Sequence, residues 1–278
     1  MRLKLTVALM AAMGMGLASG AQAASFFEDF NSPTLDPAWS VYQYTGTRHS
    51  YDGSPANHYS LTANPGSLRY YQDPMTHSGV YVYDYQIVSD PYYLYDPSLE
   101  ISRPITGNRW IYETNIHVAF PSTQGVAITN WILFGPPGAG AQYVAFQYYG
   151  HMYAGNRLYF MFGRLNDNTY ESLAIDGYGP ADRDIGLRVV RDGGLIDLLY
   201  SLDGATWNLG KHLDFGDKLD GLNQRLSFDG HSWWSPAGSY ADWDWVRFTS
   251  TSQSVPEPAT LLLTLLGLGG LSLTRRRC

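Results

Sequence analysis

Hydrophobic and polar residues alternate with a period of two along much of the chain between residues 24 and 250. From Trp110 to Val118 the even positions hold Trp, Tyr, Thr, Ile and Val, while Glu113, Asn115 and His117 occupy odd ones. Such a segment is a half-buried strand, because successive side chains of an extended backbone point to opposite sides. Val80 to Ile87 repeats the pattern with Tyr81, Tyr83, Tyr85 and Ile87, and Arg157 to Arg164 does so with Leu158, Phe160 and Phe162. Residues 185–209 divide into three strand-like runs at Asp192-Gly193 and Asp203-Gly204, dipeptides that supply the positive φ of tight hairpins. On the middle run Ile196, Leu198, Tyr200 and Leu202 share a face and are predicted to enter the core. No stretch of this body sustains a helical period. No fixed-length repeat runs through it either, which argues against a solenoid or propeller.

The two ends follow other patterns. Arg2 and Lys4 precede an apolar run from Leu5 to Leu17, and Ala21-Gln22-Ala23 supplies small residues around a cleavage point. This is the layout of a signal peptide over residues 1–23. At the other end the chain reads VPEPATLLLTLLGLGGLSLTRRRC from Val255 to Cys278. Its prolines interrupt helix and ladder alike. The sixteen uncharged residues from Ala259 to Thr274 make a helix of roughly 24 Å, just short of a hydrocarbon core of roughly 30 Å. Arg275, Arg276 and Arg277 stand where a positive-inside anchor is held.

This tail resembles the PEP-CTERM sorting signal, which joins a Pro-Glu-Pro motif, here Pro256, Glu257 and Pro258, to a short hydrophobic helix and a basic cluster. The resemblance implies an exosortase-type membrane protease as partner, a transient membrane anchor, and final delivery to the cell surface or exterior. Residues 251–278 are therefore linker and address, and residues 24–250 are the domain to be explained.

Composition agrees with strands: 22 Tyr, 8 Trp, 11 Phe and 29 Gly suit a pleated, turn-rich chain. The chain holds 18 Lys+Arg and 25 Asp+Glu; the ends account for five basic residues and Glu257, leaving 13 against 24, a net −11 for the body. So acidic a body lacks the basic patches that nucleic acid demands. The single cysteine is Cys278, so no disulfide supports the exported domain.

Several segments resemble a concanavalin A-like, laminin-G-like jelly roll. FFEDFNSPTLDPAWS (Phe26–Ser40) is similar to its opening strand and turn, PSLEISRPITGNRWIYETNIHV (Pro97–Val118) to an intervening pair of strands, LRVVRDGG with YSLDGATW to its hairpins, and DWDWVRF (Asp242–Phe248) to its closing strand. The implied fold class is all-β, a two-sheet antiparallel jelly-roll sandwich. Glycoside hydrolase family 16 shares the opening and closing strands, but its chemistry needs paired carboxyls in a Glu-x-Asp-x-Glu pattern. The body has only Glu28, Glu100, Glu113 and Glu171, and no such pattern. Asn115 and His117 weakly resemble the Gln-Ile-His element of jelly-roll alginate lyases, whose other signatures are missing.

The resemblance also implies a calcium ion between the opening and closing strands, with Asp29 and Asp244 as hard oxygen ligands. For glycans, aromatic rings offer broad apolar faces. Trp233 and Trp234, before the last strand, and Tyr148 and Tyr149 are the candidates, one ring of each pair pointing out. The expectation is an exported, non-catalytic domain that binds or organises polysaccharide. A matrix protein without a specific ligand and a glycan-active enzyme are the alternatives.

Overall fold

The structure, a computed structural model, describes residues 25–43, 59–71, 99–121, 126–135, 142–151, 155–164, 167–177, 179–232 and 239–250. The signal-peptide segment, Val80 to Ile87, Trp233 and Trp234, and Pro256, Glu257 and Pro258 with the rest of the tail lie outside the described residues. Residues Ala24–Thr251 form one compact unit.

Four short strands come first: β1 (Phe26–Glu28), β2 (Ser40–Gln43), β3 (Tyr59–Ser60) and β4 (Leu68–Tyr71). Longer ones follow as β5 (Leu99–Ile105), β6 (Arg109–Phe120), β7 (Val126–Phe134), β8 (Gln142–His151), β9 (Gly155–Arg164) and β10 (Asp167–Asp176). The chain then runs through β11 (Ala181–Asp192), β12 (Leu195–Ser201), β13 (Asn208–Asp214), β14 (Gln224–Ser232) and β15 (Tyr240–Ser250). All described pairings are antiparallel and build two sheets. One has eight strands in the order β13-β12-β11-β6-β15-β4-β3 with β1 beside β15, and the other seven in the order β10-β9-β8-β7-β14-β5-β2.

The alternation read in the sequence sets the layers. On β6, Trp110, Tyr112, Ile116, Val118 and Phe120 are buried between the sheets, and the odd positions form the outer face. From the facing sheet Ile128, Ile132, Phe146, Leu158, Phe160 and Phe228 complete one continuous core. Burying such rings and branched chains supplies roughly 1.5–3 kcal/mol each, which a domain without disulfides relies on. The two strands expected between Pro97 and Val118 are β5 and β6, and the chain crosses between the sheets from one to the other. β5 joins the seven-stranded sheet and β6 the eight-stranded one, because Gly107, at φ 97°, turns the chain from one layer to the other.

The two hairpin signals have different outcomes. Asp192 pairs with Leu195, leaving a two-residue turn in which Gly193 has φ 63°. After β12 the loop is longer, running from residue 202 to 207. Gly204 again has positive φ, 71°, but the Asp203 carboxylate accepts from the backbone N–H groups of Ala205 (2.9 Å) and Thr206 (2.7 Å). These bonds hold its pKa well below the usual range. Leu202, expected in the core, falls in this loop and is exposed.

β15 organises the eight-stranded sheet. One edge pairs with β6 along its length, and the other is shared by β4 near Tyr240 and β1 near Phe248. A bulge between Trp243 and Trp245 falls where the partner changes. Bulges re-aim side chains, and here the extra residue is Asp244.

Candidate functional site

The outer face of the seven-stranded sheet carries a second apolar cluster, separate from the main core. Parity on β7 sends Ile128, Asn130 and Ile132 inward, where Asn130 accepts from the Tyr112 hydroxyl at 2.5 Å, and leaves Ala127, Thr129, Trp131 and Leu133 outward. The register sets Trp131 opposite Ala145, Leu133 opposite Tyr143 and Thr129 opposite Gln147. Across the next pair Ala145 faces Met161 and Gln147 faces Tyr159, and Tyr170 on β10 faces Met161. Leu133, Tyr143, Ala145 and Met161 are buried together, with Trp131 and Tyr159 packed against them.

The rings meet edge to face. Trp131 and Tyr143 have centroids 5.1 Å apart at 64°, and Tyr159 and Tyr170 are 5.4 Å apart at 64°. Tyr149 lies 5.9 Å from Tyr159. Such contacts fix ring orientation. Tyr170, on the edge strand, is 60% exposed, so the row runs from a half-buried tryptophan to an open tyrosine. Burial pushes the Tyr159 phenol above its ordinary pKa, partly opposed by Arg157. Polar groups alternate with the rings: Gln147 Nε2 donates to Thr129 Oγ1 at 3.2 Å, and Arg157 Nε donates to Ser172 Oγ at 3.0 Å.

No outward position of β7, β8 or β9 carries a carboxylate among the described residues; the register brings Asp229 of β14 opposite Thr129. An outward-facing acidic series of the family 16 kind has no counterpart on β7, where Thr129, Trp131 and Leu133 stand in sequence.

Of the aromatic residues expected at a binding surface, Tyr149 is on this face. Tyr148 is not: it is buried in the core against Phe120, 5.5 Å away, and donates to Asp176 Oδ2 at 3.0 Å. Burial and the neighbouring carboxylate push its pKa far up. Parity makes this outcome necessary, since neighbours on one strand cannot share a face. The sequence reading missed Trp131, Tyr159 and Tyr170. For Trp131 and Tyr159 the signal was the outward parity of VAITNWILF and GNRLYFMFGR, in which both faces are apolar and the alternation is therefore faint; Tyr170 lies on β10.

The other candidates lie on the opposite sheet. Asn115 and His117 do share its outer face, but each is held by carboxylates. Asn115 Nδ2 donates to Asp244 Oδ2 at 2.6 Å, and His117 Nδ1 lies 3.0 Å from Asp184 and Nε2 3.4 Å from Asp182. An amide and an imidazole so committed are not poised to meet a uronate.

Asp29 and Asp244 belong to one corner, joined through intermediates. Asp29 is exposed and accepts from the backbone N–H of Asn31 at 3.2 Å, with Asn31 holding its pKa down. The Asn31 side chain reaches Gly66, where a Cβ would sit 3.4 Å from Oδ1. Ser67 Oγ in turn donates to Asp244 Oδ1 at 3.2 Å. The corner is built of hard oxygens, the chemistry calcium takes. Among the described residues no three acidic, His or Cys side chains converge as a metal cage.

Beside this corner Asp242, 2% exposed, takes both forks of Arg69, Nε to Oδ1 and Nη2 to Oδ2, each at 2.7 Å. Asn64 adds a third bond at 2.8 Å.

Residues 254–277 match the PEP-CTERM protein-sorting motif, so the chain carries the sorting tail of an exported protein. Among the described residues no helix is long and apolar enough to cross a membrane. No curated protein matches the chain in sequence. Its fold is similar to that of the GH43 protein BlXynB of Bacillus licheniformis, at a TM-score of 0.56 and 15% identity over 81% of this chain and 39% of that one. It is also similar to a β-glucanase of Bacillus licheniformis, at 0.53 and 16% over 82% of this chain and 98% of that one. An immunostimulatory antigen and pseudo β-1,3-glucanase of Mycobacterium tuberculosis matches at 0.53 and 13%, over 82% and 98%. The chain thus spans well under half the length of the GH43 protein, and at these identities the likeness is one of fold. The body is an all-β, concanavalin A-like sandwich.

Proposed function

We propose that the protein is an exported, exosortase-processed domain that binds extracellular polysaccharide across the outer face of its seven-stranded sheet and does not cleave it. The observation that carries this reading is the fixed aromatic row Trp131–Tyr159–Tyr170, flanked by the half-buried Arg157 and Ser172. Flat rings stack on the apolar faces of sugars, and the hydroxyl and guanidinium groups beside them suit sugar hydroxyls. The lack of outward carboxylates on β7 to β9 favours binding over hydrolysis, which needs two. A body near −11 repels polyanions at long range, so this face is assigned a neutral polymer. Calcium at the Asp29–Asp244 corner is part of the proposal, as a clip between the opening and closing strands.

A glycan panel with the full chain in mild detergent tests the reading, with Tyr159→Ala as the diagnostic variant. The competing enzyme reading has Asp229 in its favour, one strand from Thr129. It predicts new reducing ends that disappear in Asp229→Asn. A matrix protein without a ligand predicts no binding at all.

A further inference from the structure

The eight-stranded sheet has an outer face of its own, on the far side of the sandwich from Trp131. Its register aligns Leu199 on β12, Arg188 on β11, Glu113 on β6, Arg247 on β15 and Phe27 on β1 in a single row across five strands. Arg188 donates from Nε to Glu113 Oε1 at 2.8 Å, and its Nη2 is 2.5 Å from the same oxygen. Arg247 Nη1 stays 3.7 Å from Glu113 Oε2, too far for a hydrogen bond. Its guanidinium lies instead over Phe27 and Trp245, 5.4 Å from each ring.

The other arginine is stacked as well: Arg188 lies 3.9 Å above Trp207. That indole rests on Gly186, where an added Cβ would come within 3.2 Å of the ring. Gly186, Asn115 and Trp245 make up the adjoining row. The tryptophans therefore flank the Arg-Glu-Arg group two strand spacings apart, about 10 Å. Each arginine is backed by an aromatic ring, which holds the planar fork in place.

The hydrogen-bonding capacity of this patch is one-sided. Among the described residues no protein acceptor meets the Trp207 or Trp245 N–H or the guanidinium of Arg247. Of the neighbouring carboxylates, Glu113 takes Arg188 on Oε1 and keeps Oε2 3.7 Å from Arg247, and Asp244 takes Asn115 and Ser67. Arg247 is 52% exposed and Phe27 56%. The face thus offers donors and aromatic walls, with Glu113 only 14% exposed between them, on a body whose overall charge is negative.

We propose that this face is a second binding surface, for a carboxylate-bearing polysaccharide of the polyuronate class. A guanidinium fork pairs with a carboxylate through two charge-assisted hydrogen bonds, and the flanking indoles suit the faces of adjoining sugar rings. A hydroxyl-only polymer gives the open Arg247 fork no carboxylate to pair with. A second copy of the chain is a poor fit, because a two-fold contact sets the same donor-rich patch against itself. The inference does not depend on the seven-stranded face. Together the two surfaces make the protein a bridge between unlike polymers.

The test is titration calorimetry of the full chain in mild detergent with polygalacturonate, and dextran as the neutral control, at about 0.1 M salt. There the Debye length of about 10 Å screens the body's net charge while short contacts persist. Wild-type protein binds polygalacturonate; Arg247→Ala weakens that binding at least ten-fold, and Arg247→Lys, which keeps the charge without the fork, weakens it less. Arg109→Ala, which removes an exposed arginine four positions along β6 from the row, and Tyr159→Ala, on the other sheet, leave it unchanged. Absence of polygalacturonate binding overturns the proposal. So does an equal loss from Arg109→Ala, which reduces the effect to net charge, or a sedimenting dimer that Arg247→Ala dissolves, which assigns the face to a second copy.

Discussion

Replacing Asp242 by Asn removes a charge from inside the sandwich wall while leaving its shape. The carboxylate is 2% exposed and Arg69 is 19% exposed, joined by two bonds of 2.7 Å, with the guanidinium also 3.7 Å above the Tyr240 ring. The bond to Asp242 holds the Arg69 pKa above its usual value. With the partner neutralised, Arg69 keeps its charge and meets an amide that donates toward it. Breaking a buried pair costs about 3–5 kcal/mol; allowing for the partial hydration of Arg69, about 2–4 kcal/mol is expected here. For a domain of this size each kcal/mol lowers Tm by about 2–4 °C, so Asp242→Asn should melt about 5–15 °C below wild type. The control is built into the molecule. Arg109 and Asp192 pair at the same 2.7 Å but are 61% and 63% exposed, and Asp192→Asn should cost under about 1 kcal/mol. Thermal and urea unfolding of both variants decide the matter. Equal losses from the two would refute the claim that burial, and not bond length, sets the worth of the pair.

Three further outcomes follow from the same structure. Burial, the largest influence on both Tyr112 and Tyr148, keeps their phenols protonated in the fold well above pH 10, so the stability they lend is complete below the unfolded pKa of about 10 and lost as pH rises beyond it, by about 1.4 kcal/mol per pH unit for each ring. Unfolding followed from pH 8 to 11 should therefore steepen above 10, and Tyr112→Phe with Tyr148→Phe should flatten that limb. If calcium occupies the Asp29–Asp244 corner, chelator should lower Tm in wild type by mass action and leave Asp244→Asn unmoved; a wild-type Tm indifferent to chelator and to added calcium removes the metal from the account. By intact mass, surface-exposed or released protein from the native host should lack residues 1–23 and most of the run after Pro258, and a retained leucine-rich tail would contradict processing.

Much of the fold was legible because period-two alternation is a direct record of a two-faced environment. The inward residues of β6 follow from it, the turn at Gly193 follows from its Asp-Gly dipeptide, and the closing strand was marked by the family resemblance of Asp242–Phe248. Where both faces are apolar the record fades. VAITNWILF carries the main core on one side and Trp131 on the other, and nothing in the string separates them without the register. Long-range partners were equally hidden. His117 is held by Asp182 and Asp184, 65 and 67 positions away, and Asn115 by Asp244, 129 positions away, so a spacing that suggested a lyase pair belongs to surface bonding. The Asp203-Gly204 signal gave the correct backbone sign but not the loop length, because the Asp203 carboxylate stabilises a wider turn through bonds that two residues cannot offer.

The central claim is that a fixed aromatic row on the seven-stranded sheet holds a neutral polysaccharide. Tyr159→Ala addresses it most directly, since Tyr159 touches both Tyr149 and Tyr170 and lies outside the main core. For a neutral polymer identified by glycan panel, affinity measured by calorimetry should fall at least ten-fold in Tyr159→Ala, with no new reducing ends in either protein and with Tm changed by only a few degrees. Unchanged affinity in a folded Tyr159→Ala variant would contradict the claim.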